Sequence, residues 1–102
     1  MKKCCETYLN SQFGGDAGIV GEIYAEYVSS MSAKLAEAEA ALAAADWALL
    51  DRVAHTVKGN ALSAGDPETA DVAIALRNAT KLADAAASAM LLSRLKTLAA
   101  GL

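Results

Sequence analysis

The single histidine of the chain, His55, is followed by Lys58 three positions later and by Gly59 four positions later. In an α-helix these three residues lie on one face. A neutral imidazole nitrogen is a competent nucleophile near pH 7, and a nearby ammonium group attracts the negative charge of a phosphoryl group. Gly59 leaves room for a bulky partner, although glycine inside a helix costs on the order of 1 kcal/mol relative to alanine. These residues predict a histidine that carries phosphate.

The apolar residues around His55 indicate which side of its helix is buried. They form one stripe: Leu50, Val53, Ala54, Val57, Ala61 and Ala64. At about 100° per residue, His55 lies roughly 140° away from the stripe, so we expect its ring to face solvent. Ala48 and Leu62 lie two turns before and two turns after it on the same face. We interpret Ala48 as a small residue that leaves room for a partner, and Leu62 as an apolar docking contact for that partner.

The adjacent residues Cys4 and Cys5 are the other candidates for chemistry. Neighbouring cysteines cannot form an ordinary loop-closing disulfide, and two cysteines with one histidine fall short of a four-ligand zinc set. We therefore expect no metal site and interpret the pair as small apolar residues, with a redox role as the alternative. No motif for a cofactor or for an independent catalytic cycle is present, so we do not expect an enzyme.

Length and composition favour one domain over residues 1–102, of which 55% are hydrophobic and 21% charged. The formal net charge is −3, and no basic cluster exceeds Lys2-Lys3, which argues against nucleic acid as a ligand. No run of about 18 apolar residues occurs, and no apolar segment follows the two lysines. We expect no contact with a membrane and a cytoplasmic location.

The abundance of alanine and the single proline, Pro67, predict an all-α protein. A short lead-in helix is expected over residues 4–13 of a lead-in segment 1–15, and a bundle over about 16–101. After Gly14-Gly15-Asp16 the first long helix has this apolar series: Val20, Tyr24, Tyr27, Met31, Leu35, Ala38 and Leu42. Serines near residues 29–32 predict a weak point in it.

Aspartates mark the starts of the later helices, at Asp46, Asp66 and Asp84, and Gly65 marks an end. The predicted core positions of the last two helices are Val72, Leu76, Ala79 and Ala83, then Met90, Leu91, Leu95 and Leu98, before Gly101. Four amphipathic helices with short connections predict an antiparallel four-helix bundle, because each buries its stripe only against the others.

The segment Ala54-His55-Thr56-Val57-Lys58-Gly59-Asn60-Ala61 resembles the HxxKG signature of histidine-containing phosphotransfer (HPt) domains, and the similarity extends over roughly residues 14–100. The resemblance implies that His55 accepts a phosphoryl group from a receiver-domain aspartate or a kinase and passes it on. It implies response-regulator receivers and a sensor or hybrid histidine kinase as partners, with Mg²⁺ on the receiver and no cofactor on this chain. By the family, Lys58 steadies the phosphoryl group, Gly59 clears its approach and Asn60 is a polar neighbour.

Family members often carry an acidic residue after the leucine that aligns with Leu76, and here that residue is Arg77. We expect Arg77 either to be a solvated surface residue or to affect partner choice at the rim of the docking surface. Two other functions stay open. The chain could be an adaptor that docks through Leu62 and never carries phosphate, or the phosphoacceptor domain of a chemotaxis-type kinase.

Overall fold

The computed structural model describes residues 1–102, which form five helices and no strand. Their bounds are α1 (Lys3–Gln12), α2 (Ala17–Ala43), α3 (Trp47–Ala64), α4 (Pro67–Lys81) and α5 (Ala85–Ala100). Each of the four long helices packs against the next, and α2 also packs against α5, which closes the ring. The all-α prediction is therefore confirmed. Because two or three residues connect successive long helices, we infer that neighbours in this ring run antiparallel.

Aspartate side chains begin all four long helices, as predicted. Asp16, Asp46, Asp66 and Asp84 each accept a hydrogen bond from a backbone N–H in the first turn that follows. Gly65 ends α3 in the left-handed conformation at φ +74°. A Cβ atom at this position would overlap the side chain of Tyr8, so α1 packs directly over the end of α3.

The core stripe that was predicted for α3 is confirmed, because all six of its residues are buried. The α2 series is buried as far as Ala38, and α2 is unbroken through residues 29–32. Met31 lies in that stretch and is buried in the core, which explains why packing overrides the weak helix propensity of the serines.

Two predicted core positions, Ala83 and Met90, are wrong, and three others are only partly buried against the core: Leu42, Leu91 and Leu98. Leu42 is only half-buried, because Ala41 takes the core position at the end of α2. Ala83 is exposed in the connection after α4, with φ 49°. Met90 is 67% exposed, and Leu92 is buried instead. The buried face of α5 contains Ser88, Leu92 and Leu95. Met90 precedes Leu92 by two positions and therefore lies on the opposite side of the helix.

Asp66 joins three elements at the end of the bundle that α1 covers. Its carboxylate is completely buried and accepts hydrogen bonds from Lys2 Nζ at 2.8 Å, Tyr27 Oη at 2.7 Å and Thr69 Oγ1 at 2.7 Å. Burial by itself would raise the pKa of Asp66, but these hydrogen bonds and the Lys2 charge hold it below its usual value. The network joins Lys2, the residue before α1, to α2 and to the start of α4.

None of the five helices combines the length and the apolar character needed to cross a lipid bilayer.

Candidate functional site

His55 lies in the middle of α3 with its side chain exposed, between the buried residues Val53, Ala54 and Val57. The solvent-facing position that the sequence predicted is therefore what the structure shows. Its place in a continuous helix fixes the direction of its Cα–Cβ bond, because the core residues on either side fix the rotation of α3 in the bundle.

Lys58 and Gly59 lie one turn beyond His55. Lys58 is half-buried and forms no ion pair, so its ammonium group is available to an incoming anion. A Cβ atom at Gly59 would meet nothing within 4 Å, so packing against the rest of the fold does not require glycine there. The surface beside the imidazole is consequently open on this side.

Ala48 and Leu62 extend this open face along α3. Ala48 is exposed, and the Leu62 side chain is 53% exposed although it is apolar. Together with His55 and Gly59 they form a strip about four turns long, with the imidazole near its middle. A surface of this kind suits contact with another protein, since an exposed leucine gains free energy when a partner covers it.

Arg77 reaches from α4 to His55. Its Nη1 atom lies 3.0 Å from His55 Nδ1, and its Nε atom donates a hydrogen bond to Asp51 Oδ1 at 3.1 Å. The arginine side chain is only 26% exposed. The expectation that Arg77 is a solvated surface residue is therefore wrong, because α3 and α4 pack closely enough for it to bridge two residues of α3.

Asp51 is a member of this site that the sequence reasoning missed. The hydrogen bond from Arg77 lowers the pKa of Asp51 below its usual value and outweighs the opposing effect of burial. Thr80 of α4 contributes a further contact, Oγ1 to Asp51 Oδ1 at 3.4 Å. Asp51 precedes His55 by four residues and so lies on the same helix face, which is the sequence signal that could have found it.

Asn60 points to another part of the fold. Its Nδ2 atom donates a hydrogen bond to Ser30 Oγ of α2 at 2.9 Å. The polar neighbour of His55 in the structure is thus Arg77, while Asn60 connects α3 to α2. This contact helps to hold the helix that carries the imidazole.

The cysteine pair lies away from this site. Cys5 is completely buried in the core, and burial raises the pKa of its thiol to about 12. A thiolate at Cys5 is therefore strongly disfavoured at neutral pH, which argues against a redox role for this residue and agrees with its apolar interpretation. No group of three or more histidine, cysteine or acidic side chains is close enough together to hold a metal ion.

The site consists of an exposed histidine on a helical bundle, with a lysine and a glycine one turn away. Comparison with known families identifies the class of protein to which the chain belongs. The model of the Hpt domain matches residues 22–102. The chain belongs to the Hpt domain family, whose members take part in phosphotransfer in two-component signalling. Comparison with curated proteins and with solved structures gave no match.

Proposed function

We propose that this protein is a phosphorelay intermediate in which His55 is the phosphoacceptor. The observation that carries the proposal is the exposed imidazole in mid-helix, with unpaired Lys58 and open Gly59 on the same face. The partners are receiver domains of response regulators and a sensor or hybrid histidine kinase. His55 accepts the phosphoryl group from one partner and passes it to another.

The transfer depends mainly on how the two proteins are positioned. An imidazole nitrogen attacks the phosphorus atom of a receiver aspartyl phosphate in line with the bond that breaks, and the aspartate leaves as a carboxylate. Lys58 attracts the equatorial oxygens of the transferred group, and Gly59 lets the receiver approach. Mg²⁺ bound by the receiver neutralises charge on the phosphoryl group. The chain itself acts as a phosphocarrier and not as an enzyme, and it needs no cofactor of its own.

Docking places the receiver over the strip that runs from Ala48 through His55 to Leu62. Leu62 supplies the apolar contact, and the two small residues, Ala48 and Gly59, allow a flat approach. Arg77 lies at the edge of this surface on α4. Such a mainly apolar contact with a charged edge fits a transient complex, in which charge steers the encounter.

Phosphoryl transfer from radiolabelled receiver domains tests the proposal directly. The intact chain is incubated with a panel of phosphorylated receivers, and the label is examined for stability in acid and base. We expect an acid-labile, base-stable label on the chain and its complete loss in His55→Gln, with the helical circular dichroism spectrum unchanged because the side chain is outside the core. Full labelling of His55→Gln would overturn the site assignment.

An adaptor that binds through Leu62 without carrying phosphate is the second candidate, and the exposure of Leu62 favours it. The same panel separates the two functions. An adaptor binds a partner but acquires no label from any receiver, whereas a phosphocarrier acquires label from at least one.

A further inference from the structure

The contact between Arg77 and His55 determines which imidazole nitrogen carries the proton. An arginine guanidinium is always charged, and all its nitrogens are donors. Because Arg77 Nη1 lies 3.0 Å from His55 Nδ1, Nδ1 must accept the hydrogen bond. The proton of the neutral ring is then on Nε2.

Arg77 is held in this position from a second side. Its Nε atom donates to Asp51 Oδ1, and the same oxygen is 3.4 Å from Thr80 Oγ1. Asp51 lies on α3 and Thr80 on α4, so the arginine is fixed between the two helices that meet at the imidazole. Because the guanidinium is already held in place, little conformational entropy is lost when Nη1 donates to Nδ1.

This arrangement opposes the chemistry that the proposed function requires. Arg77 covers Nδ1, which leaves Nε2 as the nitrogen available to a receiver. An Nε2–H group has no lone pair with which to attack phosphorus, so transfer requires the other tautomer, with the proton on Nδ1. In that tautomer Nδ1–H and Arg77 N–H are two donors facing each other, and their hydrogen bond is lost.

We propose that Arg77 is a positioning residue that holds unphosphorylated His55 in the Nε2–H tautomer and, after transfer, stabilises phosphohistidine by donating to Nδ1. The inference rests on the proposed function. Arg77 slows loading, because the hydrogen bond must break before Nε2 can attack. It also slows the return of the phosphoryl group to a receiver, because that step is helped by a proton on Nδ1, where Arg77 donates its hydrogen bond.

In the Nδ1–H tautomer the Nε2 lone pair forms the N–P bond while the P–O bond to the receiver aspartate breaks, and that electron pair leaves with the carboxylate. The Nδ1 proton then passes to water, and the Nδ1 lone pair accepts from Arg77. In the reverse direction, protonation of Nδ1 makes the ring a better leaving group. Arg77 competes with that proton, so the loaded state lasts longer.

Nitrogen NMR of the imidazole tests the resting state without any phosphorylation. Since the chain contains one histidine, the ring signals of uniformly ¹⁵N-labelled protein all belong to His55, and their couplings to the ring carbon-bound protons distinguish Nδ1 from Nε2. We expect the neutral ring to show the Nε2–H pattern with a hydrogen-bonded Nδ1. In Arg77→Ala the Nδ1 signal should move to its position without a hydrogen bond, and the Nδ1–H form should become detectable.

Two further variants make the NMR experiment decisive. In the double variant Asp51→Asn/Arg77→Glu a carboxylate replaces the guanidinium, and the Nδ1–H form should dominate because Nδ1 must now donate. Arg94→Ala removes an equal charge from α5 and should leave the ring signals unchanged. An Nδ1–H pattern in the unmodified chain, or ring signals in Arg77→Ala identical to those of the unmodified chain, would overturn the proposal.

The lifetime of the phosphorylated chain tests the loaded state. Phosphoramidate, a small phosphoryl donor, loads the full chain without a receiver, and the decay of the label is then followed. We expect Arg77→Ala to load faster and to lose its label faster, each by a factor of about 3 to 10, as for one charge-assisted hydrogen bond at a partly exposed site. Arg94→Ala should match the unmodified chain.

The two measurements separate the possible failures. If the tautomer shifts in Arg77→Ala and the lifetime does not, the role of Arg77 in the loaded state is wrong. If the lifetime shortens while the ring signals stay fixed, Arg77 contacts the phosphoryl oxygens and the tautomer proposal is wrong. If His55 takes no label from phosphoramidate or from any receiver, the proposed function itself fails, and the NMR result still describes the resting ring.

Discussion

Gly59 lies one helical turn beyond His55, and a Cβ atom added to it would touch no neighbouring element or side chain within 4 Å. The space beside the imidazole is therefore open to solvent and is not filled by the fold. Since glycine lowers helix stability, we propose that it is present here to let a partner approach His55.

Two substitutions at Gly59 separate helix stability from access. Gly59→Ala and Gly59→Leu should both raise the free energy of unfolding, the alanine variant by about 1 kcal/mol. Gly59→Ala should retain transfer, whereas Gly59→Leu should block it, because only the longer side chain reaches over the imidazole. Denaturant unfolding and transfer from a phosphorylated receiver measure the two effects. Normal transfer by Gly59→Leu would contradict the role of this residue.

Gly65 provides the matched comparison for the stability measurement. It has a positive φ and lies against Tyr8, so Gly65→Ala should lower the free energy of unfolding by more than about 1 kcal/mol. Opposite signs at the two glycines are expected, and a loss of stability in both alanine variants would show that the space at Gly59 is not open.

Lys58→Ala should slow transfer or shorten the life of the phosphorylated chain by a factor of about 3 to 10 without abolishing labelling, because one partly exposed charge stabilises the phosphoryl group. Lys96→Ala on α5 removes the same charge far from α3 and serves as the control. Rates and decay are measured with the same labelled receiver. Values for Lys58→Ala equal to those of Lys96→Ala would remove its assigned function.

Leu62→Asp should weaken binding of a receiver domain about tenfold, since an apolar contact is lost and a charge must be desolvated. Met90→Asp is the matched control, because Met90 is also a largely exposed apolar residue but lies on a different helix. Both proteins should remain folded, as both side chains are largely in solvent. Titration of each variant with a receiver gives the Kd, and a similar loss in both variants would argue against a docking surface centred on α3.

The buried carboxylate of Asp66 predicts how the free energy of unfolding depends on pH. Its pKa is lowered in the folded protein, so its contribution is fully present above the ordinary value of about 3.9 and is lost as the pH falls through the lower folded value. Asp66→Asn should be less stable at pH 7 by about 3 kcal/mol and should show a flatter decline in acid. Unfolding in urea between pH 7 and about 2 measures this.

Asp71→Asn, an exposed change in the same helix, controls for loss of charge and should follow the unmodified chain. Curves for Asp66→Asn and the unmodified chain that run parallel into acid would show that the hydrogen bonds of Lys2 and Tyr27 do not lower the pKa of Asp66.

Local signals in the chain were strong enough to predict most helix boundaries. Asp16, Asp46, Asp66 and Asp84 cap their helices through contacts within three residues, so neighbouring elements need not be known. The same locality explains the correct face of α3. The prediction failed at Met90, because apolar residues surround α5 almost completely and periodicity does not distinguish one face from another.

The sequence by itself determined that the chain is helical, where its long helices begin, and that His55 faces outward with Lys58 and Gly59 beside it, because these properties depend on residues within two turns of one another. Only the tertiary structure decided that Arg77 reaches Nδ1 of His55, that Asp51 holds the arginine, and that Asn60 contacts Ser30. These contacts join different helices. Their formation depends on the rotation and height of each helix in the bundle, which the packing of the whole core sets.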